Sequence, residues 1–234
     1  MKDLEPFLSE DNAHRISIGC CIDDILGGGV ETKIITQIYG PPASGKTNIC
    51  LQLAINCVRA GKKVVFIDTE GGHSVERIRQ MAGDDFEKIL ENSIFFEPTR
   101  FEEQNAIIEN LDKVVNENFG LVVLDSAVTL FRTGTEEDKM ATMNRQLSKQ
   151  LERLREIAKR FNVAVIITNQ VYSSFENDGV EPVGGNILKY WSKAIIELQK
   201  ENGTRVAILR RHRSLPEDIS TKFIIVGDGL RSRE

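Results

Sequence analysis

Eight consecutive residues carry the clearest chemical signal in the chain: Gly40, Pro41, Pro42, Ala43, Ser44, Gly45, Lys46 and Thr47. A glycine, four residues and then Gly-Lys-Thr suit a loop that turns tightly enough to aim successive backbone N–H groups at one point. The positive end of a following helix would add to the pull on an anion there. Lys46 can reach terminal phosphate oxygens and the Thr47 hydroxyl can ligate Mg²⁺, so the segment reads as a P-loop for ATP and Mg²⁺. The bland alternative is a glycine-rich loop that only caps a helix.

Three further positions would complete such a site. Asp125 closes an apolar run at residues 121–124 and is placed to hold Mg²⁺ directly or through water, although a helix N-cap after a strand would look the same. Glu70 follows a strand-like run at residues 63–68. It is the leading general base for orienting or deprotonating a water during hydrolysis, with Asp68 as its competitor. Gln170 ends Thr168-Asn169-Gln170, where a neutral amide could sense the γ-phosphate or simply belong to a polar rim.

The elements that must position these groups alternate along the chain. Residues 34–39, 63–68, 93–97, 121–124 and 163–168 are short apolar runs of strand type. Between them, apolar residues recur at helical spacing over 46–60, 75–81, 101–118 and 143–161, with Gly61 ending the first. That is the βαβ pattern of a parallel sheet with helices on its faces. From residue 194 the character changes. Runs at 194–198, 205–209 and 222–226, joined by turns at Asn202-Gly203 and Leu215-Pro216, predict antiparallel strands appended to the sheet. The expected fold is an α/β P-loop NTPase core over residues 16–234, with residues 1–15 as a short N-terminal arm.

At 234 residues and 41% hydrophobic, the chain can bury one large core. It contains no apolar run of about 18 residues to span a bilayer, and residues 1–12 are acidic and broken, unlike a secretory signal. A cytoplasmic protein without membrane contact is expected. Cys20, Cys21, Cys50 and Cys57 form no C-x-x-C pair and read as reduced packing residues. The net charge of −5 argues against a protein that coats nucleic acid, but leaves room for a local basic patch. Arg210-Arg211-His212-Arg213 is the densest cationic run.

Further stretches accompany the phosphate loop: Asp24-Ile25-Leu26-Gly27-Gly28-Gly29-Val30-Glu31-Thr32, Asp68-Thr69-Glu70-Gly71-Gly72, Asp125-Ser126, Thr168-Asn169-Gln170-Val171, Pro182-Val183-Gly184-Gly185-Asn186 and Leu215-Pro216-Glu217. Together they resemble the RecA/RadA recombinase family over nearly the whole chain, most closely its small archaeal paralogues. The resemblance implies a RecA-like ATPase core in homologous recombination and DNA repair. In it Glu70 activates water and Gln170 links the γ-phosphate to the following DNA-facing loop. It also implies that Arg77 stacks on adenine and that Pro216 covers the nucleotide of a neighbouring subunit. The implied partners are DNA, the main recombinase or other repair proteins, and a second copy of the chain in a homo-oligomer.

The chain departs from the strand-exchanging members in several places. No match to their N-terminal helical DNA-binding domain precedes the core, and their Phe-x-x-Ala polymerisation motif is answered only by Phe7-Leu8-Ser9-Glu10. The segment matching their first DNA loop, 132–138, is largely acidic, and the second, 172–182, carries Glu176, Asp178 and Glu181 with no Lys or Arg. Such loops would repel a phosphate backbone. Arg210, Arg211 and Arg213 are therefore the expected DNA contacts, the other reading being a solvated strand end or a contact to a neighbour's carboxylates. On a regular strand, Arg211 and Arg213 would share one face and Arg210 would take the other. The expected function is a DNA-binding accessory with weak ATPase activity and little or no strand exchange of its own. The alternative is a RecA-like regulatory ATPase of the KaiC type that does not act on DNA.

Overall fold

The computed structural model describes residues 14–72, 74–130, 137–173, 180–182 and 185–233. It opens with a small two-stranded sheet of β1 (Arg15–Ile16) and β2 (Val30–Glu31), between which lies the one-turn helix α1 (Ile22–Ile25). The alternating core follows: β3 (Ile35–Gly40), α2 (Lys46–Arg59), β4 (Lys63–Asp68), α3 (Val75–Ala82), α4 (Phe86–Glu91), β5 (Ser93–Phe96), α5 (Phe101–Glu109), β6 (Phe119–Asp125), α6 (Glu137–Phe161) and β7 (Ala164–Ser173). The chain then continues through β8 (Val180–Pro182), α7 (Gly185–Trp191), β9 (Ala194–Glu201), β10 (Thr204–Arg211), β11 (Ser220–Val226) and β12 (Gly229–Ser232).

The large sheet has the order β12-β11-β10-β9-β3-β7-β6-β4-β5, with β8 paired to the end of β7. Pairing is parallel from β9 through β5 and antiparallel for β10, β11 and β12. Alternation along the parallel strands feeds two cores. Val64 and Phe66 of β4, Leu121 and Val123 of β6, and Ala164 and Ile166 of β7 point to the layer of α2, α3 and α4. Their neighbours Val65, Ile67, Val122, Leu124, Val165 and Ile167 point to the layer of α5, α6 and α7. Burial on both faces explains why these strands read as continuous apolar runs rather than as alternating ones. The stripe Leu147, Leu151, Leu154, Ile157 and Ala158 closes the second core, each residue being buried.

Two expectations need correction. Residues 101–118 do not form one helix: α5 stops at Glu109, where the Asn110 side chain donates to the Ala106 carbonyl oxygen (2.8 Å), and a 3-10 turn spans Leu111–Lys113. Leu111 and Val115 are buried all the same, which is why helical spacing carries through a broken helix. The run at 194–198 was expected to be an antiparallel addition. Instead β9 lies parallel to β3 and only its far side pairs antiparallel with β10. The cysteines are free, with Cys50 and Cys57 buried.

β3 and β4 are separated in the sheet by β7 and β6, so the chain crosses two strand positions between them. Ligand sites of open α/β sheets form beyond the carboxyl ends of the strands at such places.

Candidate functional site

The loop from Gly40 to Gly45 joins β3 to α2 at the carboxyl end of the sheet. Gly45 caps the helix at φ 108°, a left-handed conformation that side chains resist. At Gly40 the demand is for close approach, since a Cβ there would lie 2.5 Å from the Leu198 carbonyl oxygen. Lys46 is buried, and its ammonium donates to the carbonyl oxygens of Gly40 (3.0 Å) and Pro41 (3.2 Å). Burial pushes its pKa down, against the pull of Glu70 and Asp125.

Asp125, at the end of β6, is almost wholly buried. Thr47 Oγ1 donates to its Oδ2 (2.7 Å), and the Thr168 hydroxyl donates to its Oδ1. Burial raises the Asp125 pKa; the two hydroxyl donors work against that rise, and the negative charges of Glu70 and Asp68 add to it. Glu70 and Asp125 thus both act on the one ammonium, with Asp68 adding its negative charge beside Asp125. A hydroxyl and a carboxylate oxygen side by side in a field of net negative charge fit a hard divalent cation, so Thr47 and Asp125 are the residues that could hold Mg²⁺.

Asp68 and Glu70 have different surroundings. Asp68 is buried, and its Oδ1 accepts from the backbone N–H groups of Glu70 and Gly71 (2.9 Å each), which shapes the loop after β4. The exposed Glu70 offers its Oε1 to Thr129 Oγ1 and to Gln170 Nε2, both at 2.8 Å. Thr69 fastens the loops after β4 and β6 together: its N–H donates to the Asp125 carbonyl (2.7 Å) and its hydroxyl exchanges 2.8 Å bonds with the Ser126 backbone. The structure therefore brings Lys46, Thr47, Glu70, Asp125 and Gln170 onto one rim. Sequence reasoning missed the roles of Thr129, Ser126 and Thr168; the available signal was a hydroxyl residue at each, Ser126 and Thr129 just after β6 and Thr168 within β7.

Arg77 and Pro216 are placed differently. Arg77, on α3, donates to Asn48 Oδ1 of α2 (2.8 Å), to the Val226 carbonyl (3.0 Å) and to the Gly227 carbonyl (2.7 Å). It ties the first turns of α2 and α3 to the β11–β12 turn. Pro216 is exposed in the turn after β10. Since β10 runs antiparallel to β9 and β9 parallel to β3, that turn lies at the end of the sheet away from the phosphate loop. Within one chain Pro216 does not meet the site.

A family profile described as Rad51 matches residues 11–233. Curated relatives include a "DNA repair and recombination protein RadB" of Methanobrevibacter smithii, 49% identical over 98% of this chain and 100% of its own length. Another of the same name, from Methanothermobacter thermautotrophicus, is 48% identical over 92% of this chain and 95% of its own. A structure titled "Crystal structure of the RadB recombinase" superposes with a TM-score of 0.81 at 39% identity, covering 94% of this chain and 100% of that one. The chain belongs to the Rad51 family. Its fold is the RecA-like α/β core, and the mainly parallel sheet with later antiparallel strands follows from that membership.

The segments expected from the sequence to bear on DNA are the remaining candidates in this Rad51-family chain. Phe7-Leu8-Ser9-Glu10, the loop stretch 132–136 and residues 174–179 and 183–184 lie outside the described residues. The arginine run is described, and each member takes a different partner. Arg210 ion-pairs with Glu197 (2.7 Å) and Asp218 (2.5 Å), and both raise its pKa. Burial alone would raise Glu197, but donors from Gln199, Arg210 and Tyr39 outweigh it and the net direction is down. Arg213 pairs with the buried Glu31 (2.9 Å), which Arg15 holds from the other side (2.7 Å). Arg211 donates to the Lys189 carbonyl (2.7 Å). The expected alternation of faces does not hold, because β10 has a register shift between Leu209 and Arg211 and ends at Arg211.

Proposed function

We propose that this chain binds ATP with Mg²⁺ at the P-loop, turns it over slowly, and acts as a DNA-binding accessory in homologous recombination and DNA repair with little or no strand exchange of its own. The observation that carries the reading is the convergence of Glu70 and Gln170 with Lys46 and the Thr47–Asp125 pair on one rim. Gly40, Pro41, Pro42, Ala43, Ser44 and Gly45 supply the backbone cradle for phosphate, and Lys46 exchanges its loop carbonyls for phosphate oxygens. Thr47 and Asp125 hold Mg²⁺, which when bound neutralises phosphate charge. Glu70 accepts the proton of a water, using the carboxylate oxygen that Thr129 and Gln170 leave open. Gln170 reports the state of that carboxylate to the end of β7. Arg77 serves the adenine side, and Pro216 acts on the nucleotide of another copy of the chain.

DNA is contacted through basic residues outside the acidic loops, with Arg211 the most available member of the arginine run, since Arg210 and Arg213 also hold carboxylates. Named relatives in DNA repair and recombination support this setting. We further place residues 16–234 in a single core, with β1 starting one residue earlier, and the protein in the cytoplasm; among the described residues no helix is long and apolar enough to cross a membrane.

A DNA titration with and without ATP over a range of salt tests the reading, alongside a strand-exchange assay with matched single strand and duplex. Salt-dependent DNA binding without unaided exchange is expected. Efficient exchange without a partner would restore a main-recombinase role. ATP binding without any DNA binding would favour a regulatory ATPase of the KaiC type.

A further inference from the structure

Tyr190, in the last turn of α7, is 72% exposed, more than any other exposed large hydrophobic or aromatic side chain among the described residues. It is not a loose ring. Its neighbour Trp191 packs partly buried against the second core and meets Tyr190 edge to face, with ring centroids 5.4 Å apart and planes at 90°. The Arg155 guanidinium stands 5.4 Å from the Trp191 centroid. The indole is packed on the core and contacts both a cation and the Tyr190 ring.

Basic residues neighbour this ring along the chain and through one backbone contact. Lys189 precedes it and Lys193 follows it, both exposed. Arg211 is hooked to the Lys189 carbonyl at 2.7 Å. Among the described residues none of Lys189, Lys193, Arg155 or Arg211 is paired with a carboxylate, unlike Arg153, Arg210 and Arg213. A protein of net charge −5 thus keeps basic residues without carboxylate partners next to the aromatic ring that is most exposed among the described residues.

We infer that Tyr190 is a stacking platform for an unpaired base of single-stranded nucleic acid, with Arg211, Lys189 and Lys193 taking the adjoining phosphates. The inference rests on the DNA-binding reading above and names a site for it. A flat apolar ring among cations matches a polymer that presents π-faces and phosphates together, and every base has a face to offer, so the contact tolerates any sequence. A duplex hides its base faces in the stack. The platform therefore prefers single strands.

Trp191 is the only tryptophan of the chain, so the site carries its own reporter. The experiment is a titration of the full chain with a short oligothymidylate, read both by Trp191 fluorescence and by anisotropy of a labelled strand. Quenching that saturates together with binding is expected. Tyr190→Ala should weaken single-strand binding by roughly 5- to 150-fold, while Tyr190→Phe stays close to the parent and duplex binding changes little. An unchanged melting temperature and ATP affinity would show that Tyr190→Ala leaves the fold intact. If the oligonucleotide binds but Trp191 is silent and Tyr190→Ala binds as the parent does, the platform is wrong and the DNA-binding reading stands. Equal losses on single strand and duplex would also overturn the platform. If the parent binds no nucleic acid in either readout, the DNA-binding reading fails and the platform falls with it.

Discussion

The two ends of the sheet present their charged residues in opposite ways. At the phosphate-loop end, residues far apart in sequence turn toward one another: Glu70 meets Gln170, and Asp125 takes donors from Thr47 and Thr168. At the other end, neighbours in sequence turn apart. Arg210 goes to Glu197 and Asp218, Arg211 to the Lys189 carbonyl, and Arg213 to Glu31. Parallel strands deliver every carboxyl end to one rim, so residues placed just after them converge whatever their separation. A run of arginines leaving a bulged strand has no such geometry to keep it together, and each guanidinium finds its nearest acceptor.

The sharpest way to break this contrast is Lys46→Ala. Losing a charged phosphate contact costs about 2–5 kcal/mol, or roughly 30- to several-thousand-fold in ATP affinity. The melting temperature should hold, because the loop glycines remain. Unchanged affinity by calorimetric titration would remove the P-loop assignment.

A smaller effect is expected at the support of Glu70. Thr129→Ala removes one of the two donors to that carboxylate and should slow turnover by roughly 10-fold while leaving ATP affinity near the parent value, in line with a hydrogen bond to a charged group. Loss of affinity with unchanged turnover would mean that Thr129 supports nucleotide binding instead.

Asp125 gives a prediction of opposite sign for stability and binding. Its pKa is raised by burial, so the folded state holds more protons than the unfolded one between the ordinary Asp range and the raised value. Stability therefore falls as pH rises through that window, and the ionised carboxylate is a burden at neutral pH. Asp125→Asn should raise the melting temperature of the nucleotide-free protein by ~2–4 °C, about 1 kcal/mol, and abolish Mg²⁺-dependent tightening of ATP binding. A lower melting temperature at neutral pH would contradict the burial argument.

At the other end, Arg213→Ala leaves the buried Glu31 with Arg15 alone. A loss of about 1–2 kcal/mol is expected, below the value for a fully buried pair because both guanidiniums are more than a third exposed. Urea denaturation measures it. No change would mean that Arg15 suffices, and would free Arg213 for nucleic acid.

The contrast also explains what could be read from the sequence. Alternating apolar runs and the Gly-x-x-x-x-Gly-Lys-Thr spacing encode the parallel core and the phosphate rim locally, and topology does the rest. The face of Arg213 depended on a bulge between Leu209 and Arg211, which no periodicity reveals. Neither could Thr129 and Thr168 be singled out, because hydroxyl residues in and after strands are common and only the fold brings these two to Glu70 and Asp125. Residue 110 broke a helix through its own side chain, while the buried Leu111 and Val115 kept the helical spacing intact.

Of the proposed roles, activation of water by Glu70 matters most to turnover. The direct measurement is single-turnover ATP hydrolysis by Glu70→Gln beside the parent, both saturated with nucleotide and Mg²⁺. A fall of roughly 10²–10⁴-fold with nucleotide still bound is predicted; hydrolysis at the parent rate would make Glu70 a structural carboxylate and place the catalytic base elsewhere.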